Sequence, residues 1–285
     1  MIEKIAQILS EPWLIRHESA MAYLPALLSY INTGIVQKVE REKMYFAAQP
    51  NTVTGWRMYY QDETPENSIA IIPIVGAITA DAAMYIERDI IAASNNANVM
   101  GIVFATNTPG GAVSSAVSIS GAIEMLQKPT ATFVKSACFS AGMWIGASTQ
   151  RIFLANELTE VGSIGVMVKY MDMDNFLKEK LGISIFELYA TKSTNKNEEI
   201  RELMKGNELP IIQNLDFINE KFHAIMKSKL NVKDEEALTG RTFYAPDAIQ
   251  KKLAHQIAPL ATAIQWVYQK AEEQNLSNTF NKYFN

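Results

Sequence analysis

Thr132-Phe-Val-Lys-Ser-Ala-Cys-Phe-Ser-Ala-Gly-Met-Trp-Ile-Gly-Ala-Ser148 is the stretch that decides how the rest of this chain reads. A β-type run, Thr132 to Val134, gives way to small residues, and from Ser140 the Ala, Gly and Ser content predicts a buried helix. A serine placed where a strand turns into a helix has neighbours whose N–H groups lack partners inside the helix. The helix dipole adds partial positive charge at the same end. Both favour a negative oxygen forming beside Ser140. The plain alternative is an N-cap, the usual work of a serine at a helix start.

Outward from this stretch the chain alternates between apolar runs of strand length and helical patterns. Ile69-Ala-Ile-Ile-Pro-Ile-Val75 predicts a buried strand, with Pro73 marking an edge or an end. A helix follows over Thr79 to Ala97, with Asp81, Glu87, Arg88 and Asp89 expected in solvent. Met100 to Ala105 is a second strand, Ala112 to Gln127 a second helix, and Arg151 to Leu154 a further strand beyond the Ser140 helix. Such alternation means βαβ units around a parallel sheet. In those sheets chemistry gathers beyond the carboxyl ends of the strands. Ser140 lies at one such end, and Thr106-Asn-Thr-Pro-Gly-Gly-Ala112 at another. Two glycines there let the backbone turn tightly and present N–H groups to a ligand, although a plain βα turn reads the same way. The N–H groups of Gly111 and of Ala141, the residue after Ser140, are candidates for an oxyanion hole.

A reactive serine needs a base. Of the three histidines, His17 lies near the start and His223 and His255 in the C-terminal helical part, away from the strand–helix series, and they have no ligand-like spacing. The alternative is a lysine held neutral by burial, which lowers an ordinary pKa of about 10.4 by several units, each about 1.4 kcal/mol. Lys192 and Lys196, in Tyr189-Ala-Thr-Lys-Ser-Thr-Asn-Lys-Asn197, follow an expected strand over Ser184 to Tyr189 and sit among small hydroxyl residues. By pattern alone they read as solvated loop lysines.

The 285 residues, 48% of them hydrophobic, can bury a substantial core. A net charge of −4 with no basic cluster argues against a nucleic-acid partner. The lone cysteine, Cys138, excludes an internal disulfide and reads as a small buried residue. No metal-ligand spacing and no cofactor motif is present. Glu3, Lys4, Glu11 and Pro12 break any leader-like apolar core near the start, and the apolar run Ala20 to Val36 is interrupted by Pro25 and Asn32, so a buried or docking helix is expected there rather than a membrane anchor. The organisation expected is a helical N-terminal extension (1–66, ending in a polar loop), a core (67–258), and a C-terminal helix and tail (259–285). Leu209 to Leu230 carries apolar residues at helical spacing. A cytoplasmic location is the expectation.

Four stretches taken in order resemble the signal peptide peptidase A family. They are Pro109-Gly-Gly111, Ser140-Ala-Gly-Met-Trp144, Gly162-Ser-Ile-Gly-Val166, and Thr239-Gly-Arg-Thr-Phe243 with the Ala-containing helix after it. The resemblance covers roughly Ile69 to Ile257 and is greatest to soluble members encoded by phages and prophages. It implies the crotonase-like α/β fold shared with the Clp proteolytic subunit, a spiral of βαβ units. It also implies a serine–lysine dyad acting without cofactor or metal, with Ser140 as nucleophile and Ser163 orienting the lysine. Lys196 matches the lysine-bearing segment best and Lys192 is the second choice, because the usual Ser-Gly lead-in is absent. Ala141 stands where the family more often has glycine, but the oxyanion needs only its N–H.

The same resemblance implies a homo-oligomeric ring, a polypeptide substrate and, for phage-type members, capsid or scaffold partners, in the host cytoplasm or the virion. The expected reaction is amide hydrolysis through an acyl-enzyme. Two rivals stand beside it. One is a crotonase-type acyl-CoA hydratase or isomerase using the paired N–H groups and a carboxylate such as Glu160. The other is a capsid-assembly subunit that keeps the fold alone.

Overall fold

The structure is a computed structural model and describes residues 13–15, 41–49, 55–60, 64–170, 179, 182, 184 and 186–284. Its centre is β4 (Ser68–Val75), β5 (Val99–Thr108) and β7 (Thr130–Phe139), three parallel neighbours. Helix α1 (Ala80–Asn95) connects the first two and α2 (Val113–Glu124) the last two. Thr79 caps α1 by accepting the N–H of Ala82, which relieves one of the donors a helix start leaves unpaired.

Both faces of this sheet are buried, as continuous apolar runs in parallel strands require. Ala70, Ile72, Ile74, Ile102 and Phe104 face a core shared with α1, α2 and α3 (Ala141–Ala147). Ile69, Ile71, Val103, Ala131 and Phe133 face the other way, toward α7 (Leu260–Phe284). Ala263, Ile264 and Val267 of that helix are wholly buried, and each large apolar side chain so placed contributes about 1.5–3 kcal/mol. Gly101 makes the close approach possible: a Cβ there would stand 2.3 Å from Val267 Cγ1. The expected C-terminal helix and the tail after it run as one helix, whose first half covers this sheet face.

Strand β7 carries the site. Its residues Thr132 to Val134 pair with β8 (Ile152–Leu154), and Ala137 to Phe139 pair with β9 (Glu160–Gly162) on the same edge. Against β5 the register slips between Thr106 and Thr108, where Val134 and then Cys138 are the partners. The extra residues form a bulge that bends the strand, and β7 continues to the doorstep of Ser140 instead of ending near Val134. Strand β10 (Thr242–Tyr244) adds antiparallel to β9, followed by α6 (Ala245–Gln250) and β11 (Gln256–Ile257), which pairs with β8. Helix α5 (Leu209–Leu230) packs Phe222 on Trp144 of α3, with ring centroids 5.0 Å apart.

Three sequence expectations change. The described part of the expected helical extension holds strands: β2 (Tyr45–Ala48) and β3 (Arg57–Tyr59) pair with each other, and β2 with Ile69 to Ile71 of β4. The core sheet thus begins before residue 67, while the apolar run 20–36 lies outside the described residues. Pro73 is not on an edge strand, yet β2 stops short of it, so its missing N–H falls beyond that pairing. Asp89 is buried and ion-paired with Arg41 rather than solvated. The α/β class and the mainly parallel, helix-crossed sheet are as the alternation predicted.

Candidate active site

Ser140 follows the last residue of β7 and precedes α3, with φ 53° and ψ −110°. A positive φ is rare for a residue with a side chain and marks a backbone held by its surroundings. The holding contacts are visible. Ser140 N–H donates to Gly162 O at 2.8 Å, and Ser140 O accepts from Trp144 N at 3.0 Å. The residue is 1% exposed, and its Oγ donates to Gly165 O at 3.3 Å. The residue stands at the carboxyl end of the strand, where parallel sheets place their chemistry.

The residues around it come from the stretches the sequence singled out. Gly162 has φ 120°, and a Cβ on it would stand 2.5 Å from Arg241 O. Ser163, also at positive φ (54°), donates its N–H to Arg241 O at 2.7 Å. Gly165 lies against Gly240. The segments 162–166 and 239–243 are therefore laced together beside the serine.

On the other side, β6 (Gly110–Ala112) is built on Ile78. Ile78 N–H donates to Gly110 O and Ala112 N–H donates to Ile78 O, both at 2.9 Å. A Cβ on Gly111 would stand 2.2 Å from Ile78 O, so only glycine fits. Thr108, unremarked in the sequence, is the fastener. Its Oγ1 donates to Gly76 O at 2.7 Å and accepts from Gly110 N–H at 3.1 Å. Its methyl lies where a Cβ on Gly142 would be, at 2.5 Å, which ties β6 to α3. A threonine one residue before Pro-Gly-Gly was the available signal.

Cys138 is fully buried, and burial pushes its thiol up to about 12, against a weaker opposing hydrogen bond from Thr106. It is a packing residue, unreactive near neutral pH. His223 and His255 are both pushed below the usual imidazole range, first by burial; His17 lies outside the described residues. His255 Nδ1 accepts Ile152 N–H at the opposite end of β8 from the strand ends that carry the site. Among the described residues no group of acidic, Cys and His side chains could hold a metal, and no helix is long and apolar enough to cross a membrane.

The two candidate lysines behave differently from the rest. Lys192 and Lys196 are exposed, and among the described residues neither is hydrogen-bonded to Ser140. The segment before them, 186–190, is not a strand, and Phe186 and Leu188 are 82% and 94% exposed. The loop is nonetheless shaped. Arg201 of α4 (Glu198–Met204) donates to Lys196 O at 2.6 Å and to Thr194 O, with its guanidinium 4.8 Å from the centre of the Tyr189 ring.

Residues 68–181 match the family described as NfeD1b, N-terminal domain. A signal peptide peptidase SppA of Enterococcus faecium is 27% identical over 172 residues, 56% of this chain and 47% of that protein. A protease of Methanocaldococcus jannaschii is 25% identical over 189 residues, 62% of this chain and 58% of its own length. The translocation-enhancing protein TepA of Halalkalibacterium halodurans is 25% identical over 161 residues, covering 51% of this chain and 62% of its own. Two of these three carry peptidase or protease names. The chain spans about half the length of the curated relatives it matches. Among solved structures, the S97A mutant of the 1510-N membrane-bound stomatin-specific protease overlays with a TM-score of 0.45 at 19% identity, covering 66% of this chain and 78% of that one.

Proposed function

We propose that the chain is a serine-type endopeptidase in which Ser140 attacks a peptide carbonyl and Lys196 serves as the base. The observation that carries the reading is the positive-φ Ser140 at the end of β7, with Gly111 and Ala141 on the elements flanking it. Lys196 Nζ, uncharged, takes the Ser140 proton as Oγ bonds to the carbonyl carbon. The N–H groups of Gly111 and Ala141 hold the oxyanion. The proton then passes to the leaving amine as the C–N bond breaks, and the same lysine activates water to release the acyl group. Ser163 orients the lysine.

A lysine can act this way only where burial removes its proton near neutral pH. Both candidate lysines are exposed in the single chain, so the burial comes from a second copy docking over the segment 186–197. Exposed Phe186 and Leu188 beside the lysine loop support such a contact. The substrate class is extended polypeptide. Capsid or scaffold polypeptides are the kind the phage-type resemblance points to, with the assembly in the cytoplasm.

The test is cleavage of casein and of a quenched fluorogenic peptide library. Ser140→Ala and Lys196→Ala are expected to lower hydrolysis by about 10³-fold or more, and Lys192→Ala to leave it. Hydrolysis that persists in Ser140→Ala overturns the nucleophile. Acyl-CoA turnover that persists in Ser140→Ala identifies the crotonase-type reading instead, and a folded oligomer with neither activity identifies an assembly subunit.

A further inference from the structure

The edge of β6 that faces away from Ile78 is occupied by the chain itself. Strand β1 (Trp13–Ile15) pairs antiparallel with β6, Trp13 opposite Ala112, Leu14 opposite Gly111 and Ile15 opposite Gly110. The hydrogen bonds already described fix which groups face it. Gly110 O and Ala112 N–H are both taken by Ile78. Along a strand the peptide groups alternate sides, so the N–H and C=O of Gly111 point to the opposite edge. That edge is where Leu14 stands in register.

An extended polypeptide that brings its carbonyl to the Gly111 N–H has to enter along this same edge, adding a strand to β6. We infer that β1 is a built-in occupant of the substrate track, a segment of the chain that pairs with β6 in place of substrate and covers the Gly111 N–H. The inference rests on the peptidase reading for its consequence, and on backbone pairing alone for the occupancy. It makes the resting chain self-inhibited and gives the track a stated ligand class: an extended segment entering antiparallel to residues 110–112.

The strand is suited to be displaced. Three residues is the short end of the strand range, and such a pairing is held mainly by its tether. Attachment to the same chain can give a segment an effective concentration in the millimolar range. A segment of millimolar intrinsic affinity then fills the track about half the time, and its removal opens the site by roughly twofold or more.

The experiment uses the full chain and Leu14→Pro, which removes the N–H that faces Gly111 O, with deletion of residues 1–15 as a second route to the same vacancy. Amide exchange of the peptide spanning Gly110 to Ala112 is read together with kcat/KM on a fluorogenic peptide. Exchange and kcat/KM are both expected to rise about twofold or more in the two variants. A synthetic peptide of residues 9–19 at millimolar concentration should reverse both, and the same peptide N-methylated at Leu14 should reverse neither. Unchanged exchange in both variants, or equal action of the two peptides, overturns the inference even if hydrolysis is observed. Faster exchange that the unmethylated peptide alone reverses, with no hydrolysis in any chain, upholds the strand and removes the peptidase reading.

Discussion

Gly111 and Ile78 are in backbone contact so close that no side chain fits between them: a Cβ on Gly111 would meet Ile78 O at 2.2 Å and Ile78 N at 2.6 Å. Neither of those atoms can swing aside as the tip of a side chain would, since both belong to the bridge that fixes β6. Gly111→Ala must therefore push β6 off Ile78 and carry the Gly111 N–H with it. We expect kcat to fall by about 10²–10³-fold, the loss seen when one oxyanion donor is removed, with KM little changed. Steady-state kinetics on a fluorogenic peptide checks this; a fall in KM-linked binding alone would point to a groove defect instead.

Thr108 bears on stability as well as on the site. Its hydroxyl satisfies Gly76 O and Gly110 N–H while 1% exposed. Thr108→Val keeps the shape but leaves both backbone groups without a partner, at about 1–3 kcal/mol each. Thr108→Ser keeps both bonds and removes one methyl, a change of about 1 kcal/mol. Urea unfolding should rank wild type above Ser and Ser above Val. Peptidase activity should follow the hydroxyl, with Ser near wild type and Val impaired.

Most of the core was legible because parallel strands buried on both faces write themselves as unbroken apolar runs, as over Ile69 to Val75 and Met100 to Ala105. The elbow was legible too, since Ser140 sits between a β-run and small residues. What escaped was set by distant partners. Tyr45 to Ala48 and Arg57 to Tyr59 are strands of four and three residues, too short to show a period, and β4 is what makes them strands. Asp89 looked solvated because its partner, Arg41, lies 48 residues away. Phe186 and Leu188 show the alternation of a strand but have no sheet to join among the described residues. Lys192 and Lys196 are exposed and, among the described residues, neither is hydrogen-bonded to Ser140, a relation that no local pattern encodes.

Cys138 makes a prediction in pH. Its thiol ionises only at about 12 in the folded chain, because burial penalises the thiolate, against 9.0 for a free thiol. The sign follows directly. Below pH 9 both states are protonated and the group contributes nothing pH-dependent; above it the unfolded thiol ionises first, and stability is lost as pH rises toward the folded value. Between pH 8 and pH 10 the wild type should lose on the order of 1 kcal/mol more than Cys138→Ala. Denaturant unfolding of both chains at the two pH values measures it. Iodoacetamide at pH 8 should label Cys138 only after unfolding, and activity should survive the treatment.

Ser140 and Lys196 also predict a pattern in mixtures. Within one chain Ser140 Oγ is engaged by Gly165 O and Lys196 is exposed, so the proposed dyad requires a lysine from a neighbouring copy. Ser140→Ala and Lys196→Ala chains, each inactive alone, should then regain activity when unfolded together and refolded as a mixture, because a chain with an intact serine can dock on one with an intact lysine. The loop that presents the lysine depends on Arg201, which holds Lys196 O at 2.6 Å and stacks 4.8 Å from the Tyr189 ring centre. Arg201→Ala leaves both reacting groups in place but lets the loop wander, and a displacement of an ångström at a reacting group lowers rates by about 10²-fold. Its kcat should therefore fall while its fold, read by circular dichroism, stays the same. A mixture that stays inactive although the two variants form mixed oligomers would show that the lysine and the serine do not work across copies, and with Lys196 exposed within its own chain it would also remove that residue as the base.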